Sequence, residues 1–288
     1  MATPSITFGI VIPTYNRKAL LSRAIDSILD QTYAQWQTCI VDDASSDQSK
    51  EHVEQHYTDE RIHYLQQPEN LGVNAARNRA LDHLLNTVKC DYITFLDDDD
   101  YFDPQTLQEA LKQIQNNPKE QWFVSARRAE NGMNITRIDR FGRLSYINYF
   151  LGTEMDHDAT HVIKSDLIGE TRFSHTFKQA QEWIFFIQLA KKAEMYLYDF
   201  PSTICSYLED GLTAKVSKDS AESEEAKAVV KLQKAMLQEL GISSKRMECL
   251  KLQHRVQKTL KSKKYLKLLR YLPRYLYYKS ILRFNKML

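Results

Sequence analysis

The chain has 288 residues, of which 43% are apolar and 26% charged. That is enough to build a sizeable core, and it excludes a disordered tail, a fibrous repeat and a disulfide-stapled mini-protein. The net charge of +2 conceals an asymmetry: fourteen Lys and Arg and a single acid, Glu248, fall between Lys245 and Leu288, so an acidic body is joined to a strongly basic end.

Ile6 to Ile12 is a short β-branched run closed by Pro13, the pattern of a strand buried on both faces. Lys18 to Asp30 carries Leu20, Leu21, Ala24, Ile25, Ile28 and Leu29 at helical spacing. Thr38 to Val41 predicts a second strand ending in Asp42-Asp43, Gln48 to Tyr57 is weakly helical, and Ile62 to Leu65 is a third strand. Asn74 to Leu85 predicts a helix with Ala75, Ala76, Ala80, Leu81 and Leu84 inward. Tyr92 to Leu96 is a fourth strand that runs into Asp97-Asp98-Asp99-Asp100. Asp103-Pro104 supplies an N-cap and an N1 proline for a helix from about Pro104 to Asn116.

Beyond Gln121 the pattern loosens. Trp122 to Ala126, His161 to Ile163, Met195 to Phe200 and Thr203 to Leu208 read as strands, and Ile135 to Tyr149 mixes strand signals with loop. Glu182 to Lys192 reads as a helix with almost continuous apolar cover. From about Ser217 the signals are helical, over Glu222 to Leu240, stopped by Gly241, and over Arg246 to Leu269, interrupted at Pro273.

Alternating strand and helix implies an α/β fold of right-handed βαβ units with a mostly parallel, Rossmann-like central sheet and flanking helices. The carboxyl ends of such strands gather along one edge, where open α/β sheets bind ligands. Pro13-Thr14-Tyr15-Asn16, Asp42-Asp43 and Asp97 to Asp100 meet there. Four consecutive carboxylates repel one another. They make either a solvated acidic turn or a seat for a hard divalent cation, and the Asp-x-Asp spacing lets two carboxylates reach one ion. Asp42-Asp43 either closes a turn or accepts from N–H donors or ribose hydroxyls. Tyr15 is placed to stack on a base, and Arg77, at a helix start with Gly72 upstream, to pair with phosphate.

Four cysteines, Cys39, Cys90, Cys205 and Cys249, lie far apart with no CxxC spacing. Neither a zinc centre nor a disulfide framework is expected, and reduced thiols in a cytoplasmic protein are the plain reading. No basic segment precedes the short N-terminal apolar run, so a signal peptide is not expected. No apolar stretch reaches the ~18–20 residues that span a bilayer.

Five segments occur in order: Val11-Ile12-Pro13-Thr14-Tyr15-Asn16-Arg17, Ser27-Ile28-Leu29-Asp30-Gln31-Thr32-Tyr33, Val41-Asp42-Asp43-Ala44-Ser45-Ser46-Asp47, Asn70-Leu71-Gly72-Val73-Asn74-Ala75-Ala76-Arg77-Asn78 and Phe95-Leu96-Asp97-Asp98-Asp99-Asp100. With them residues 6–110 resemble the nucleotide-sugar half of the family 2 glycosyltransferases, which have the GT-A fold. The resemblance runs to about residue 215, more weakly after 120. It implies a GT-A domain over 1–215, with a nucleotide-sugar-binding half at 1–120 and an acceptor-binding half at 121–215. A basic helical C-terminal region, 216–288, follows.

The resemblance assigns donor binding to Pro13, Thr14, Tyr15, Arg17, Asp43, Arg77, Asp97 and Asp98. Thr14 and Tyr15 would hold the base, Asp43 would accept from the uracil N3–H, and Arg77 would support the base or the diphosphate. Asp97, Asp98 and Asp99 form the Asp-x-Asp signature. Asp99, with Asp97, would ligate Mn2+ or Mg2+, and Asp97 or Asp98 would contact the ribose. In related inverting enzymes a helix opens with two acids, the second of which takes the proton from the acceptor hydroxyl. Here the stretch is Gln181-Glu182-Trp183, which departs from that pattern at its first acid and leaves Glu182 as the expected catalytic base. Asp156, His157, Asp158 and His161 are reserves on the acceptor side, and the loop Glu209 to Thr213 stands where many relatives have a His.

The implied activity is a metal-dependent inverting transfer of a sugar from a nucleotide-sugar, a UDP-sugar by the resemblance around Asp43, to a glycan hydroxyl. The acceptor would be lipid-linked, in bacterial capsule, O-antigen or lipooligosaccharide synthesis. A nucleotidyltransferase is disfavoured because Gly9 to Thr14 is not a Gly-rich phosphate loop, and a dehydrogenase because no GxGxxG follows a strand. A nucleotide- or membrane-binding protein without transferase activity is the competing reading. In the basic end Tyr265, Leu268, Leu269, Leu272 and Leu276 fall near one helical face. That suits a helix on an anionic membrane surface, which would put the protein at the inner face of the cytoplasmic membrane. It also suits a helix packed on the domain. No base-stacking sheet or reading helix is evident, so a nucleic-acid partner is not expected.

Overall fold

The computed structural model describes residues 5–152, 154–156, 158–176 and 181–206, and positions 231, 232, 235–239, 241, 252, 272 and 276. The chain divides into one unit of Met1–Tyr146 and Glu154–Gly211 and another of Ile147–Thr153 and Leu212–Leu288. His157, the loop Glu209 to Thr213 and nearly all of the basic end lie outside the described residues.

In the first unit β1 (Phe8–Thr14) is buried at every position, as its unbroken apolar run predicts for a strand covered on both faces. It pairs in parallel with β2 (Trp36–Asp42) and β4 (Tyr92–Phe95), and β2 pairs in parallel with β3 (Ile62–Gln66). Beyond β4 stands β9 (Thr160–Lys164), antiparallel both to β4 and to β6 (Trp122–Ser125). β10 (Met195–Leu197) runs parallel to β6, and β8 (Gly142–Leu144) closes the sheet antiparallel. The eight-stranded order is β3-β2-β1-β4-β9-β6-β10-β8.

Helix α1 (Lys18–Leu29) turns Leu21, Ala24, Ile25 and Ile28 inward. They join Phe8, Ile10, Ile12 and Ile40 of the strands, and Leu107 and Ile114 of α4 (Thr106–Asn116), in one apolar cluster. Helix α2 (Ser49–His56) follows β2, and α3 (Val73–Asp82) follows β3.

Three departures from the sequence expectation have local causes. The expected helix 74–85 is α3 up to Asp82 and then a π-helical turn over His83–Val88, closed by Lys89 at φ 64°. The helix expected from Pro104 starts at Thr106, because Asp103, Pro104 and Gln105 form a turn in which Asp103 accepts from the Gln105 and Thr106 N–H groups. The acidic run does not end in loop. Asp100 opens β5 (Asp100–Phe102), which pairs with β11 (Thr203–Cys205), and β11 pairs with β7 (Arg127–Ala129) in a second, three-stranded sheet. The remaining helices are α5 (Tyr146–Leu151), α6 (Ser165–Ile168) and α7 (Trp183–Ala190).

Candidate active site

Because β1 and β4 are parallel neighbours, Thr14 and the acidic run leave the sheet side by side. The Thr14 hydroxyl donates to Asp98 Oδ2 at 2.8 Å. The backbone then turns through Asn16 at φ 54°, which sends Arg17 back over the acids. Its Nη1 donates to Asp98 Oδ1 at 3.0 Å and Asp99 Oδ2 at 2.8 Å. Burial pushes the Asp98 carboxyl up to about 6, against the pull of Arg17 and Thr14. From α1, Arg23 donates to the Asp99 carbonyl at 2.6 Å and fixes the backbone of the run. Pro13 is buried in β1, and Tyr15 is 47% exposed at its end.

The two acids after β2 divide their work. Asp42 closes the turn, accepting from the Ser45 N–H at 2.8 Å, the Tyr64 hydroxyl at 2.7 Å and Gln66 Nε2 at 3.2 Å. Asp43, also buried, accepts from Gln67 Nε2 at 2.5 Å and from the Leu71 and Gly72 N–H groups, each at 2.8 Å. Gly72 can deliver its N–H there because it sits at φ 91°, ψ 159°, a region essentially closed to residues with a Cβ. Asp43 thus shapes the loop that launches α3.

Arg77 on α3 is buried, and its side chain is the hub of the site. Nη2 donates to Asp97 Oδ1 and Nη1 to Glu182 Oε1, both at 2.8 Å. Glu182 lies just before α7, after Gln181 at φ 66°. One guanidinium therefore holds the first acid of the Asp-x-Asp run and the acid expected to be the base. Burial works against the Arg77 charge, but Glu182 and Asp97 outweigh it and hold its pKa above the ordinary value. For Asp97 burial likewise opposes ionisation, and Arg77, Arg127 and Arg17 overcome it and keep its pKa low. Both carboxylates are about two-fifths exposed at the side chain, so they are anchored yet open to a ligand.

Arg127 on β7 was not singled out by the sequence reading. It ion-pairs with Asp100 and Asp158, lies 3.9 Å from Asp97 Oδ2, and donates from Nε to Cys205 Sγ at 3.0 Å. Burial pushes Asp100 up to about 7 even with Arg127 beside it. The only local signal was an Arg doublet after a strand, and nothing in it points to acids 27 and 31 positions away. The reserve acids divide: Asp158 reaches this cluster, whereas Asp156 pairs with Arg137. His161 is a core residue that accepts the Trp122 indole N–H at 3.1 Å and stacks on Phe186 with ring centroids 3.9 Å apart.

The donor set suits a hard divalent cation. Asp97 and Asp99 offer carboxylate oxygens at a partly exposed edge, and Mg2+ or Mn2+ is commonly held by one or two carboxylates with substrate phosphates completing the shell. Among the described residues no three His, Cys, Asp or Glu converge into an all-protein cage.

The family described as Glycosyl transferase family 2 matches residues 9–172, more than half of the chain. The first curated relatives, from Bacillus subtilis and Escherichia coli, are 35% and 41% identical over 36% and 34% of this chain. The chain spans only 40% and 34% of their length. A longer match covers 74% of this chain and 69% of the GalNAc(5)-diNAcBac-PP-undecaprenol beta-1,3-glucosyltransferase of Campylobacter jejuni, at 27% identity. Among solved structures, S. aureus TarS 1–349 in complex with UDP-GlcNAc aligns with a TM-score of 0.70 at 17% identity, over 95% of this chain and 79% of that one. The mannosyltransferase PcManGT from Pyrobaculum calidifontis, in complex with GDP-Man and Mn2+, aligns with a TM-score of 0.55 at 16% identity, over 91% and 65%. Such likeness establishes the fold, which is GT-A.

Proposed function

Because the chain belongs to glycosyl transferase family 2, we propose that it is a metal-dependent inverting transferase that moves a sugar from a UDP-sugar to a hydroxyl of a lipid-linked glycan in bacterial surface-polysaccharide synthesis. The observation that carries the reading is the Arg77 bridge, which joins the acidic run of the donor half to Glu182 of the acceptor half. The name of the Campylobacter relative, with its undecaprenol-linked acceptor, and the UDP-GlcNAc complex of TarS support the acceptor and donor classes.

In this reading Thr14 and Tyr15 meet the base, and Asp97 or Asp98 the ribose. Arg17 and Arg77 place two guanidinium groups at the edge where the diphosphate leaves, an electrostatic stabilisation of the developing charge. A cation held by Asp99 and Asp97 would supply further neutralisation of that leaving group. Glu182 takes the proton from the acceptor hydroxyl while the acceptor oxygen bonds to the anomeric carbon and the bond to the diphosphate breaks on the opposite face. One displacement gives inversion. Gln181 cannot take a proton at neutral pH. Its Oε1 accepts the Trp183 indole N–H at 2.7 Å, which leaves Glu182 the ionisable group at the start of α7.

No helix among the described residues is long and apolar enough to cross a membrane. The basic end is proposed as the contact with the anionic inner face of the cytoplasmic membrane, where a lipid-linked acceptor would lie.

The test is nucleoside diphosphate release by the purified chain with Mn2+ and a panel of UDP-, GDP- and dTDP-sugars. Release from one UDP-sugar is expected, abolished by EDTA and by Asp99→Ala. Glu182→Ala should bind that donor normally and turn it over at least about 100-fold more slowly. Tight UDP binding with no turnover of any donor would leave either a strict acceptor requirement or the non-catalytic nucleotide-binding alternative, and no nucleotide binding would overturn the whole assignment.

A further inference from the structure

The segment Asn74-Ala75-Ala76-Arg77-Asn78 has a second polar member that donor binding does not employ. Asn78 is 5% exposed on α3, and it bonds the backbone of Phe173 in both directions. The Phe173 N–H donates to Asn78 Oδ1 at 2.7 Å, and Asn78 Nδ2 donates to the Phe173 carbonyl at 3.0 Å. One turn earlier, Asn74 Nδ2 donates to the Ser174 carbonyl at 3.2 Å. A side-chain amide that satisfies both backbone groups of a residue 95 positions away behaves as a one-residue strand partner.

The residue so held is the ring on which the site rests. Phe173 is 2% exposed and stacks on Phe185 of α7 with centroids 4.1 Å apart and planes 13° apart. Phe95, at the end of β4 just before the acidic run, meets it edge-on at 5.5 Å. The Arg77 guanidinium lies 5.5 Å over its face. Phe185 is the first residue of α7 to bond back to Glu182, its N–H donating to the Glu182 carbonyl at 2.9 Å. The chain of contacts is continuous: Asn78 fixes Phe173, Phe173 fixes Phe185 and the plane of Arg77, and these two fix Glu182.

We infer that Asn78 is a positioning residue that acts through Phe173 to hold the first turn of α7, and hence Glu182, against Arg77. Its catalytic consequence rests on the proposed reading of Glu182 as the base, while its structural content does not. Loss of the two bonds in Asn78→Ala frees Phe173 and loosens the α7 start, while Asp97 still holds the Arg77 guanidinium at 2.8 Å from the other side.

Trp183, partly exposed beside Glu182, reports this directly, since Trp36 and Trp122 are fully buried. Acrylamide quenching of tryptophan emission should rise in Asn78→Ala and in Phe173→Leu while UDP affinity stays within about twofold of wild type. Nucleoside diphosphate release from UDP-glucose and UDP-GlcNAc with Mn2+ is then compared in single and double variants. Asn78→Ala should lower kcat by about tenfold with KM for the donor unchanged. In a Glu182→Gln background the same substitution should cost no further activity, because it acts through that carboxylate. Phe173→Leu keeps the core filled and decides the question if Asn78→Ala does not fold. Unchanged quenching in the folded variant overturns the inference. So do losses that multiply in the double variant, or a rise in donor KM at constant kcat. A wild type inactive toward every donor of the panel, with the expected quenching change, would count against the reading of Glu182 as the base and leave the placement of α7 standing.

Discussion

Burial, with Asp99 beside it, pushes the Asp98 carboxyl up to about 6 from an ordinary 3.8 against the pull of Arg17 and Thr14. The folded state therefore keeps a proton that the unfolded chain loses as pH rises between those values. The stabilising contribution is complete below the unfolded value and is lost as pH rises through the folded one. Asp98→Asn removes this dependence. In EDTA, urea unfolding of wild type and variant should diverge by about 2 kcal/mol between pH 4 and pH 8, in favour of the variant at the alkaline end. Arg77 shows what residue type and position reveal on their own. A guanidinium at a helix start reads as a phosphate ligand, but its two carboxylate partners lie 20 and 105 positions away and leave no local trace. Gly72→Ala should cost about 1–3 kcal/mol in urea unfolding and weaken UDP binding, because the new Cβ drives the backbone from φ 91° and takes its N–H from Asp43.

At the scale of elements, periodicity carried the first hundred residues. The unbroken apolar run of β1 and the inward spacing of α1 are dictated by neighbours two to four residues apart; α1 formed where expected, and β1 formed two residues later than expected, running through Pro13 to Thr14 instead of stopping before it. Of the second sheet only β11 was legible, at the start of the strand expected over Thr203 to Leu208; β5 and β7 were not, because they have three residues each and pair only with a strand far off in the chain. The antiparallel insertion of β9 between β4 and β6 has the same cause: its sequence announces a strand but not its direction. Packing between elements sets a further test. A Cβ at Gly9 of β1 would stand 2.6 Å from Ile93 Cδ1 and 3.1 Å from Cys90 Sγ. Gly9→Ala should therefore destabilise the fold by about 1–3 kcal/mol in urea unfolding.

Across the whole molecule, the uneven charge makes its own prediction. Fourteen Lys and Arg in the last stretch of an otherwise acidic chain should bind vesicles containing phosphatidylglycerol and not neutral ones. Binding should fall as salt rises from about 0.1 M to about 0.5 M, since the Debye length shortens below the reach of each charge. Cosedimentation measures it, and equal binding to neutral vesicles would contradict the assignment of the basic end. The sequence by itself determined the α/β class, the strand ends that carry Thr14, Asp43 and Asp97 to Asp99, and the family motifs, because each of these is written in residues close together in the chain. Only the tertiary structure decided that Arg77 holds Glu182, that Arg127 serves Asp100 and Asp158, and that Asn78 grips Phe173. Those pairs depend on strand order and direction, which bring residues tens of positions apart into contact and which no local periodicity encodes.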